Sequence, residues 1–343
     1  MKAVGYTERG LPIEHPQALL DLVLPDPGPP LGRDLLVRVH AVSVNPRDAK
    51  SRAVFEASPA KPMVLGYDAS GVVEAVGPEC SLFRPGDAVW YAGVLDRPGS
   101  NAELQLVDER IVGQKPRSLG HAEAAALPLT TLTAWEMLFD RLAIPQDRAP
   151  GESLLILGGA GGVPSIAIQL ARALTGLTII ATASRPESAD WVRARGAHHV
   201  IDHSQPLAAQ VKALGIGAPR YVFSTHTDAG AWAEIAKLIA PQGRFGLIDD
   251  PEPFDLRLVK FKSVSIHWEA MFTRPMFRTA DMQRQHVILS ECAALLDCGV
   301  LTAPPPTHYG AITATNLRRA HATIEAGRVV GKIVLAGFQS TPA

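Results

Sequence analysis

The stretch that decides the fold is LLILGGAGGVPSIAIQLAR, residues 154–172. It begins with a short apolar run typical of a buried strand, continues through a glycine-rich turn, and ends in an apolar helix pattern. This order builds a phosphate site, because glycines let the backbone approach the phosphates and a helix N-terminus offers free N–H groups. We therefore predict a dinucleotide-binding turn, and its candidate contacts are Gly159, Ala160, Gly161, Gly162 and Val163.

One position departs from the usual G-x-G-x-x-G pattern, because Pro164 replaces the third glycine. Proline is tolerated in a first helical turn, where its missing N–H would have had no intrahelical partner. The third glycine serves mainly helix–strand packing, whereas the first two allow the phosphate approach. We expect Pro164 either to shift the helix slightly or to remove one donor, and so to weaken cofactor binding without abolishing it.

The rest of the chain divides into two textures. Up to about Val112 the pattern is β-rich and punctuated by proline and glycine, whereas from His121 onward apolar strands alternate with helices. That alternation predicts a doubly wound parallel sheet with helices on both faces, a Rossmann domain. We also expect one helix from Trp268 to about Cys298, and a final strand at 331–335 that returns to the first domain.

The end of the second strand of such a sheet selects the cofactor. An acidic residue there favours NAD, whereas an arginine accommodates the 2′-phosphate of NADP. Here the strand ends in Ala183, followed by Ser184 and Arg185, so we predict NADP(H). The alternative is that Arg185 is only a solvated loop charge. His203 follows the third strand of the sheet and is a further candidate contact near the adenosine.

Composition excludes several classes of function. The 343 residues are 47% hydrophobic and 20% charged, with 33 Lys+Arg against 34 Asp+Glu, so neither a nucleic acid nor a membrane partner is indicated. No apolar run approaches the roughly 20 residues of a transmembrane helix. The three cysteines form no disulfide framework or cysteine-rich zinc site, and the N-terminus lacks a signal-peptide pattern. We expect a cytoplasmic protein.

Together with the glycine turn, four motifs extend over nearly the whole chain: NPRD at 45–48, LGYDASG at 65–71, RPGDAV at 84–89 and PLTTLTAW at 128–135. With these motifs the sequence resembles the medium-chain dehydrogenase/reductase superfamily, in its zinc-free quinone oxidoreductase branch. The resemblance implies a β-rich GroES-like catalytic domain over 1–127 and 300–343, and an NADP(H)-binding domain over 128–299. It also implies a homodimer formed through edge strands of the nucleotide-binding sheets.

The motifs also address the question of a metal. The first cysteine ligand of the zinc enzymes aligns with Asn45, and their Gly-His-Glu motif aligns with residues 66–68, so the histidine ligand is Tyr67. A catalytic zinc takes three protein ligands, and Asp68 alone cannot hold it. A structural zinc would need four cysteines after Trp90, and residues 91–101 contain none. We predict no metal.

Without a metal, we predict NADPH-dependent hydride transfer to a quinone or an α,β-unsaturated carbonyl. The substrate is expected to be small and hydrophobic. The resemblance implies a cleft with the candidate catalytic residue Asn45 and with Thr133 near the nicotinamide, and with Ile248 and Phe272 along it. Tyr67 is the first candidate proton donor and Tyr91 the second. The alternative for each is a buried tyrosine whose hydroxyl bonds to protein or water, with solvent delivering the proton.

Two alternatives remain open. The first is a zinc-dependent alcohol dehydrogenase, which would require stoichiometric zinc. The second is a non-catalytic NADPH-binding protein, because relatives of this branch include proteins with structural or nucleic-acid-binding roles. Pro164 and the missing acid leave the second alternative open.

Overall fold

The computed structural model describes residues 1–146, 151–327 and 329–339. No helix in these ranges is long and apolar enough to cross a bilayer. The strands are β1 (Lys2–Tyr6), β2 (Leu20–Val23), β3 (Asp34–Val44), β4 (Met63–Val64), β5 (Ala69–Val76), β6 (Ala88–Tyr91), β7 (Leu104–Asp108), β8 (Val112–Gln114), β9 (Ser153–Ile156), β10 (Thr178–Thr182), β11 (His199–Ile201), β12 (Tyr221–Ser224), β13 (Arg244–Leu247), β14 (Ser265–Trp268), β15 (Thr307–His308) and β16 (Ile333–Ala336).

The helices fall between these strands and differ widely in length. They are α1 (Pro46–Val54), α2 (His121–Ala125), α3 (Pro128–Trp135), α4 (Gly162–Leu174), α5 (Pro186–Ala194), α6 (Leu207–Ala213), α7 (Ala229–Leu238), α8 (Thr273–Phe277), α9 (Arg284–Asp297) and α10 (Ala314–Glu325). A π-helical segment covers Glu136–Arg141, and 3-10 helices cover Glu109–Ile111 and Leu256–Lys262.

The chain forms two compact units. Their boundaries differ from those of the two predicted domains. The first unit is Met1–Leu132 with Phe272–Ala343, and the second is Thr133–Met271. Residues 272–299 therefore belong with the β-rich unit rather than with the dinucleotide-binding one. The physical reason is the docking of α9 on β8. A Cβ on Gly113 would lie 2.4 Å from that of Leu289, so only glycine allows this approach.

The predicted helix from Trp268 to Cys298 is wrong in its continuity. The chain instead leaves β14, forms the short helix α8, and reverses at Arg278, whose φ is 46°. Only then does α9 begin. The break lets α9 lie on β8, where the His286 Nδ1 atom is 2.7 Å from the Val112 carbonyl oxygen.

The first unit is β-rich, as predicted. A seven-stranded sheet has the order β15-β16-β3-β5-β6-β8, with β7 also paired to β3, and a smaller sheet has the order β2-β1-β4. Strand β16 pairs antiparallel with β3, which confirms the predicted return of the C-terminal strand. This return places Lys332, the residue before β16, beside the beginning of α1.

The second unit contains one parallel sheet of order β11-β10-β9-β12-β13-β14. The strand order reverses direction between β9 and β12, as in a doubly wound dinucleotide-binding fold, and this confirms the predicted Rossmann class. Every residue of β9 and β12 is buried, because helices cover the sheet. Ligands of such sheets bind at the carboxyl ends of the strands, beside the reversal.

The second unit also buries a pair of carboxyl groups. Glu136 and Glu269 are 0% and 3% exposed and hydrogen-bond to each other. Arg141 donates from Nε to Glu269 Oε2 at 2.7 Å. Burial, and next the negative charge of Glu136, raise the pKa of Glu269 to about 9. Glu269 therefore keeps its proton in the folded protein at neutral pH.

This proton makes folding stability depend on pH. In the unfolded chain Glu269 loses its proton near its ordinary pKa of 4.5, whereas the folded chain keeps it to about 9. Stability falls as pH rises across this window, by at most about 1.4 kcal/mol per pH unit. We expect Glu269→Gln to lack this loss, so that urea unfolding midpoints of the two proteins diverge between pH 5 and pH 9. The exposed Glu187→Gln is the control. Parallel pH profiles for wild type and Glu269→Gln would contradict the assignment.

Candidate active site

The glycine turn after β9 is shaped by close contacts that only glycine allows. Gly158 has a φ of 72°, and a Cβ there would lie 2.5 Å from Thr225 Oγ1. A Cβ on Gly159 would lie 2.8 Å from Val192 Cγ2 and 2.9 Å from the Thr182 carbonyl oxygen. The turn is thus pressed against the ends of β10 and β12, and side chains would push it away from the crevice.

The backbone of this turn leaves donors for a ligand. Gly158 and Gly159 donate to the side chain and carbonyl of Thr182, each at 2.9 Å. In the described part of the chain the N–H groups of Gly162 and Val163, at the start of α4, make no hydrogen bond. These donors, with the positive end of the helix dipole, fit a pyrophosphate.

Pro164 is the third residue of α4 and is buried. The helix begins two residues before it, so the ring is accommodated without breaking the helix. Because proline has no N–H, the first turn offers two free donors instead of three. The effect of Pro164 on pyrophosphate binding and the predicted weaker affinity both stay predictions.

The residues predicted to contact the adenosine lie just past the carboxyl ends of two neighbouring parallel strands. Ser184 and Arg185 are exposed and follow β10, and His203 is exposed and follows β11. The two strands pair in parallel with Thr182 opposite Ile201, so both loops leave the same edge. Within the described residues, the guanidinium of Arg185 has no hydrogen bond or ion pair, and it is available to an anion.

Two further predicted contacts also belong to the second unit. Ile248 directly follows β13 and is half-buried, at the carboxyl edge of the sheet. Thr133 is 5% exposed and lies on α3. Phe272, predicted with them, belongs to the first unit, where its ring packs edge-on against Tyr67 at 5.4 Å between centroids.

The centre of the first unit is a buried ion pair. Lys332 Nζ lies 2.9 Å from Asp68 Oδ2, and Asn45 Nδ2 donates to the same oxygen at 2.8 Å. The backbone N–H of Leu129 donates to Asp68 Oδ1 at 2.7 Å, and Lys332 also donates to Asn45 Oδ1. We refer to Asn45, Asp68 and Lys332 as the ion-pair cluster. None of the three is more than 7% exposed.

Charge in the ion-pair cluster follows from its hydrogen bonds. Burial raises the pKa of Asp68, and the Lys332 ammonium and the donors from Asn45 and Leu129 oppose that rise. All three neighbours donate to Asp68, so they match a carboxylate, which only accepts. The pair is therefore an ammonium and a carboxylate held together away from water.

Sequence reasoning did not identify Lys332 as part of this site. Its run, GKIVL, was matched to the family only as a final strand. A signal was present, because a lysine beside a buried apolar strand is rarely enclosed unless a carboxylate pairs with it. The pattern could suggest a partner but not which of 34 acidic residues provides it.

Asn45, a predicted catalytic residue, is held on both sides of its amide. Its oxygen accepts from Lys332, and its nitrogen donates to Asp68 and, at 3.3 Å, to the Tyr67 carbonyl. Its backbone N–H donates to Asp48 Oδ2 at 2.7 Å, at the start of α1. The amide therefore fixes local structure in this conformation, and a substrate contact would have to replace one of these bonds.

The two candidate proton donors are buried. Tyr67 is 2% exposed and hydrogen-bonds through its side chain to Ser51. Tyr91 is fully buried, and its hydroxyl donates to Gln105 Oε1 at 2.9 Å. Burial raises the pKa of both phenols, so they stay protonated at neutral pH. Their role as donors stays a prediction.

The residues at the zinc-ligand positions do not fit zinc. Asn45 offers an amide already bonded to Lys332, and Tyr67 offers a phenol in place of an imidazole. The remaining carboxylate, that of Asp68, is already paired with the Lys332 ammonium. A zinc ion here would face the Lys332 charge with no thiolate or imidazole to bind it. Elsewhere in the described ranges, no group of three or more His, Cys, Asp or Glu side chains could hold a metal.

Comparison with known families agrees with this architecture. Residues 32–128 match the alcohol dehydrogenase GroES-like domain, and residues 162–284 match the zinc-binding dehydrogenase domain. A zinc-type alcohol dehydrogenase-like protein of Staphylococcus aureus strain MSSA476 is 41% identical over 309 residues, covering 89% of this chain and 91% of that protein. The chain belongs to the medium-chain dehydrogenase/reductase superfamily. Within it, the chain falls in the zinc-free, quinone oxidoreductase-like branch.

Solved structures of this superfamily are similar over the whole chain. A Rhizobium etli CFN 42 protein named as a zinc-dependent alcohol dehydrogenase is 56% identical with a TM-score of 0.95, covering 99% of both chains. A quinone oxidoreductase of Pseudomonas syringae pv. tomato DC3000 is 26% identical with a TM-score of 0.81, covering 98% of this chain and 99% of that one. A mycobacterial protein solved with NADPH is 26% identical with a TM-score of 0.82, with the same coverage. The chain is an oxidoreductase of this superfamily, with a nicotinamide cofactor.

The ion-pair cluster can be tested by a second substitution that relieves the effect of the first. Lys332→Met leaves a buried carboxylate without its cation, so we expect a loss of about 3–5 kcal/mol in the free energy of unfolding. The double variant Lys332→Met with Asp68→Asn leaves no buried charge, so it should be more stable than Lys332→Met alone. Urea unfolding measures both. A double variant no more stable than the single one would contradict the ion pair.

Proposed function

We propose that this protein is a zinc-independent, NADPH-dependent oxidoreductase that transfers hydride to a quinone or an α,β-unsaturated carbonyl. The observation that carries the proposal is the replacement of a metal site by the ion-pair cluster in an otherwise intact dehydrogenase fold. Without a Lewis acid, an alcohol has no strong means of losing its proton. An acceptor that is already electron-poor needs no such activation.

The second unit supplies the cofactor contacts. The free N–H groups of Gly162 and Val163 would hold the pyrophosphate, and Arg185 with Ser184 would hold the 2′-phosphate. The end of β10 carries no acidic side chain that would prefer a free 2′-hydroxyl. When bound, the nicotinamide supplies the hydride. The mycobacterial relative solved with NADPH supports this choice of cofactor.

The acceptor class rests on chemistry and on the similar proteins. Similarity to the quinone oxidoreductase of Pseudomonas syringae supports a quinone as acceptor. The zinc-type relatives have names that suggest a metal, but the residues of this chain do not fit one. Those residues offer zinc no histidine or cysteine, so a zinc-dependent alcohol dehydrogenase is disfavoured. The substrate is expected to be small and hydrophobic.

A proton must also reach the reduced acceptor. Tyr67 remains the first candidate donor and Tyr91 the second, and both phenols are protonated at neutral pH because burial raises their pKa values. Each already donates or bonds to a protein group, so delivery from solvent is the simpler route. Asn45 and Thr133 remain candidates for orienting the nicotinamide end.

The assembly and location of the protein are further parts of the proposal. Strand β14 pairs only with β13 among the described strands, so it forms an edge of the parallel sheet. An edge strand leaves backbone donors and acceptors open to a second copy. We expect a cytoplasmic homodimer joined through this edge.

Cofactor choice and activity are tested together with Arg185→Ala. A charge-assisted contact contributes about 1.5–3 kcal/mol, so we expect NADPH to bind roughly ten- to a hundredfold more weakly and NADH to be little affected. Isothermal titration measures both, and Arg193→Ala, an exposed arginine of α5 paired with Asp190, is the control. Equal weakening of both cofactors would remove the 2′-phosphate role.

The same proteins are then assayed for NADPH oxidation with a panel of quinones and enones. We expect turnover with at least one member and a raised KM for NADPH in Arg185→Ala. Tight NADPH binding with no oxidation by any member would contradict the reductase and favour a non-catalytic NADPH-binding protein.

A further inference from the structure

The first unit contains a cavity of about 930 Å³ whose lining includes none of the ion-pair cluster residues. Its lining is predominantly apolar. The apolar side chains of the lining include Leu24, Val64, Leu95, Ala102, Leu104 and Leu106. Small-molecule sites have volumes of roughly 300–1,000 Å³ and mostly apolar walls, so this cavity has the size and lining of a ligand site.

Backbone hydrogen bonds hold the cavity walls in place. Met1 and Leu24 exchange bonds, with the terminal nitrogen 2.7 Å from the Leu24 carbonyl and the Leu24 N–H 2.9 Å from the Met1 carbonyl. The Gly99 N–H donates to the Val64 carbonyl at 2.9 Å. Val64 and Ala102 form part of a small hydrophobic cluster at the floor. The cavity is therefore formed before any ligand binds.

The polar groups of the lining are already bonded within the protein. Gln105 accepts from Tyr91 and donates to the Pro98 carbonyl at 3.0 Å. Arg97 binds Asp34 with two hydrogen bonds of 2.8 and 2.9 Å.

The other charged residues of the lining do not leave an excess of one sign. The Met1 ammonium pairs with Asp26 at 2.7 Å, and Glu56 pairs with Arg9 at 2.6 Å. Lys61 and Asp96, of opposite charge, are exposed. The interior therefore has no unpaired charge with which to bind an ionic ligand, and it favours a neutral one.

From this lining we propose that the cavity binds the hydrocarbon chain of a neutral ligand. The chain belongs either to the acceptor of the proposed reduction or to a separate apolar molecule, and the chemistry of recognition is the same. Val64 in the wall lies four residues before Asp68 in the sequence, so an occupant would touch the strand that leads to this carboxylate. The binding itself does not depend on the proposed reductase activity.

Direct binding is measured with the neutral fluorophore N-phenyl-1-naphthylamine and the protein without cofactor. We expect saturable binding to one site. Leu24→Arg and Leu95→Arg each place a charge in the cavity and should weaken the probe at least tenfold. Leu31→Arg, at a leucine that is 71% exposed and outside this cavity, should leave its affinity within twofold of wild type. Circular dichroism verifies that each variant folds.

A second measurement uses only the wild-type protein. Linear alcohols should displace the probe with an affinity that rises about fourfold for each added methylene until the cavity is full. Non-saturable probe binding, displacement independent of chain length, or unchanged affinity in the folded Leu24→Arg and Leu95→Arg variants would overturn the proposal.

The source of the chain is decided by NADPH oxidation with two quinones that carry a methyl or a decyl group on the same ring. If the chain belongs to the acceptor, Leu24→Arg raises the KM of the decyl quinone only, and the probe competes with it. If a separate apolar molecule occupies the cavity, the probe binds without changing either KM. Absence of oxidation with both quinones counts against the reductase and leaves the probe result intact.

Discussion

The ion pair between Lys332 and Asp68 joins distant parts of the first unit. Asp68 is the residue directly before β5. It accepts hydrogen bonds from Asn45 at the start of α1 and from Leu129 at the start of α3. Lys332 brings in the strand β16, which returns from the end of the chain to pair with β3. Three donors on one buried carboxylate fix these segments relative to each other. The resemblance to the zinc enzymes aligns Asn45 and residues 66–68 with their metal ligands, and here Asp68 pairs with the Lys332 ammonium instead.

The two units reflect two different uses of backbone geometry. In the second unit, Gly158 and Gly159 bring a turn against neighbouring strand ends, and two N–H groups at the start of α4 remain free. The proposed cofactor site uses these main-chain donors and the exposed Arg185. In the first unit the key groups are side chains enclosed away from water. The proposed cofactor contacts are therefore accessible, whereas the ion-pair cluster is enclosed within the fold.

Local features were predictable from the sequence. The glycine turn, the absence of an acidic residue after β10 and the parallel sheet all depend on patterns within a few residues. The domain boundary was not, because residues 272–299 join the first unit through the approach of Leu289 to Gly113, which no periodicity reveals. Lys332 was missed for the same reason, since its partner lies 264 residues away. The bond of Tyr67 to Ser51 was not predictable either, because it requires the packing of α1.

We propose that this protein transfers hydride without zinc, because Asn45, Tyr67 and Asp68 offer no metal site and Asp68 pairs with Lys332. The most direct test is to measure the zinc content of the purified protein by mass spectrometry and then its NADPH oxidation with a quinone before and after dialysis against 1,10-phenanthroline. We expect no stoichiometric zinc and a rate unchanged by the chelator. One zinc ion per chain, removed together with the activity and restored with it, would contradict the claim.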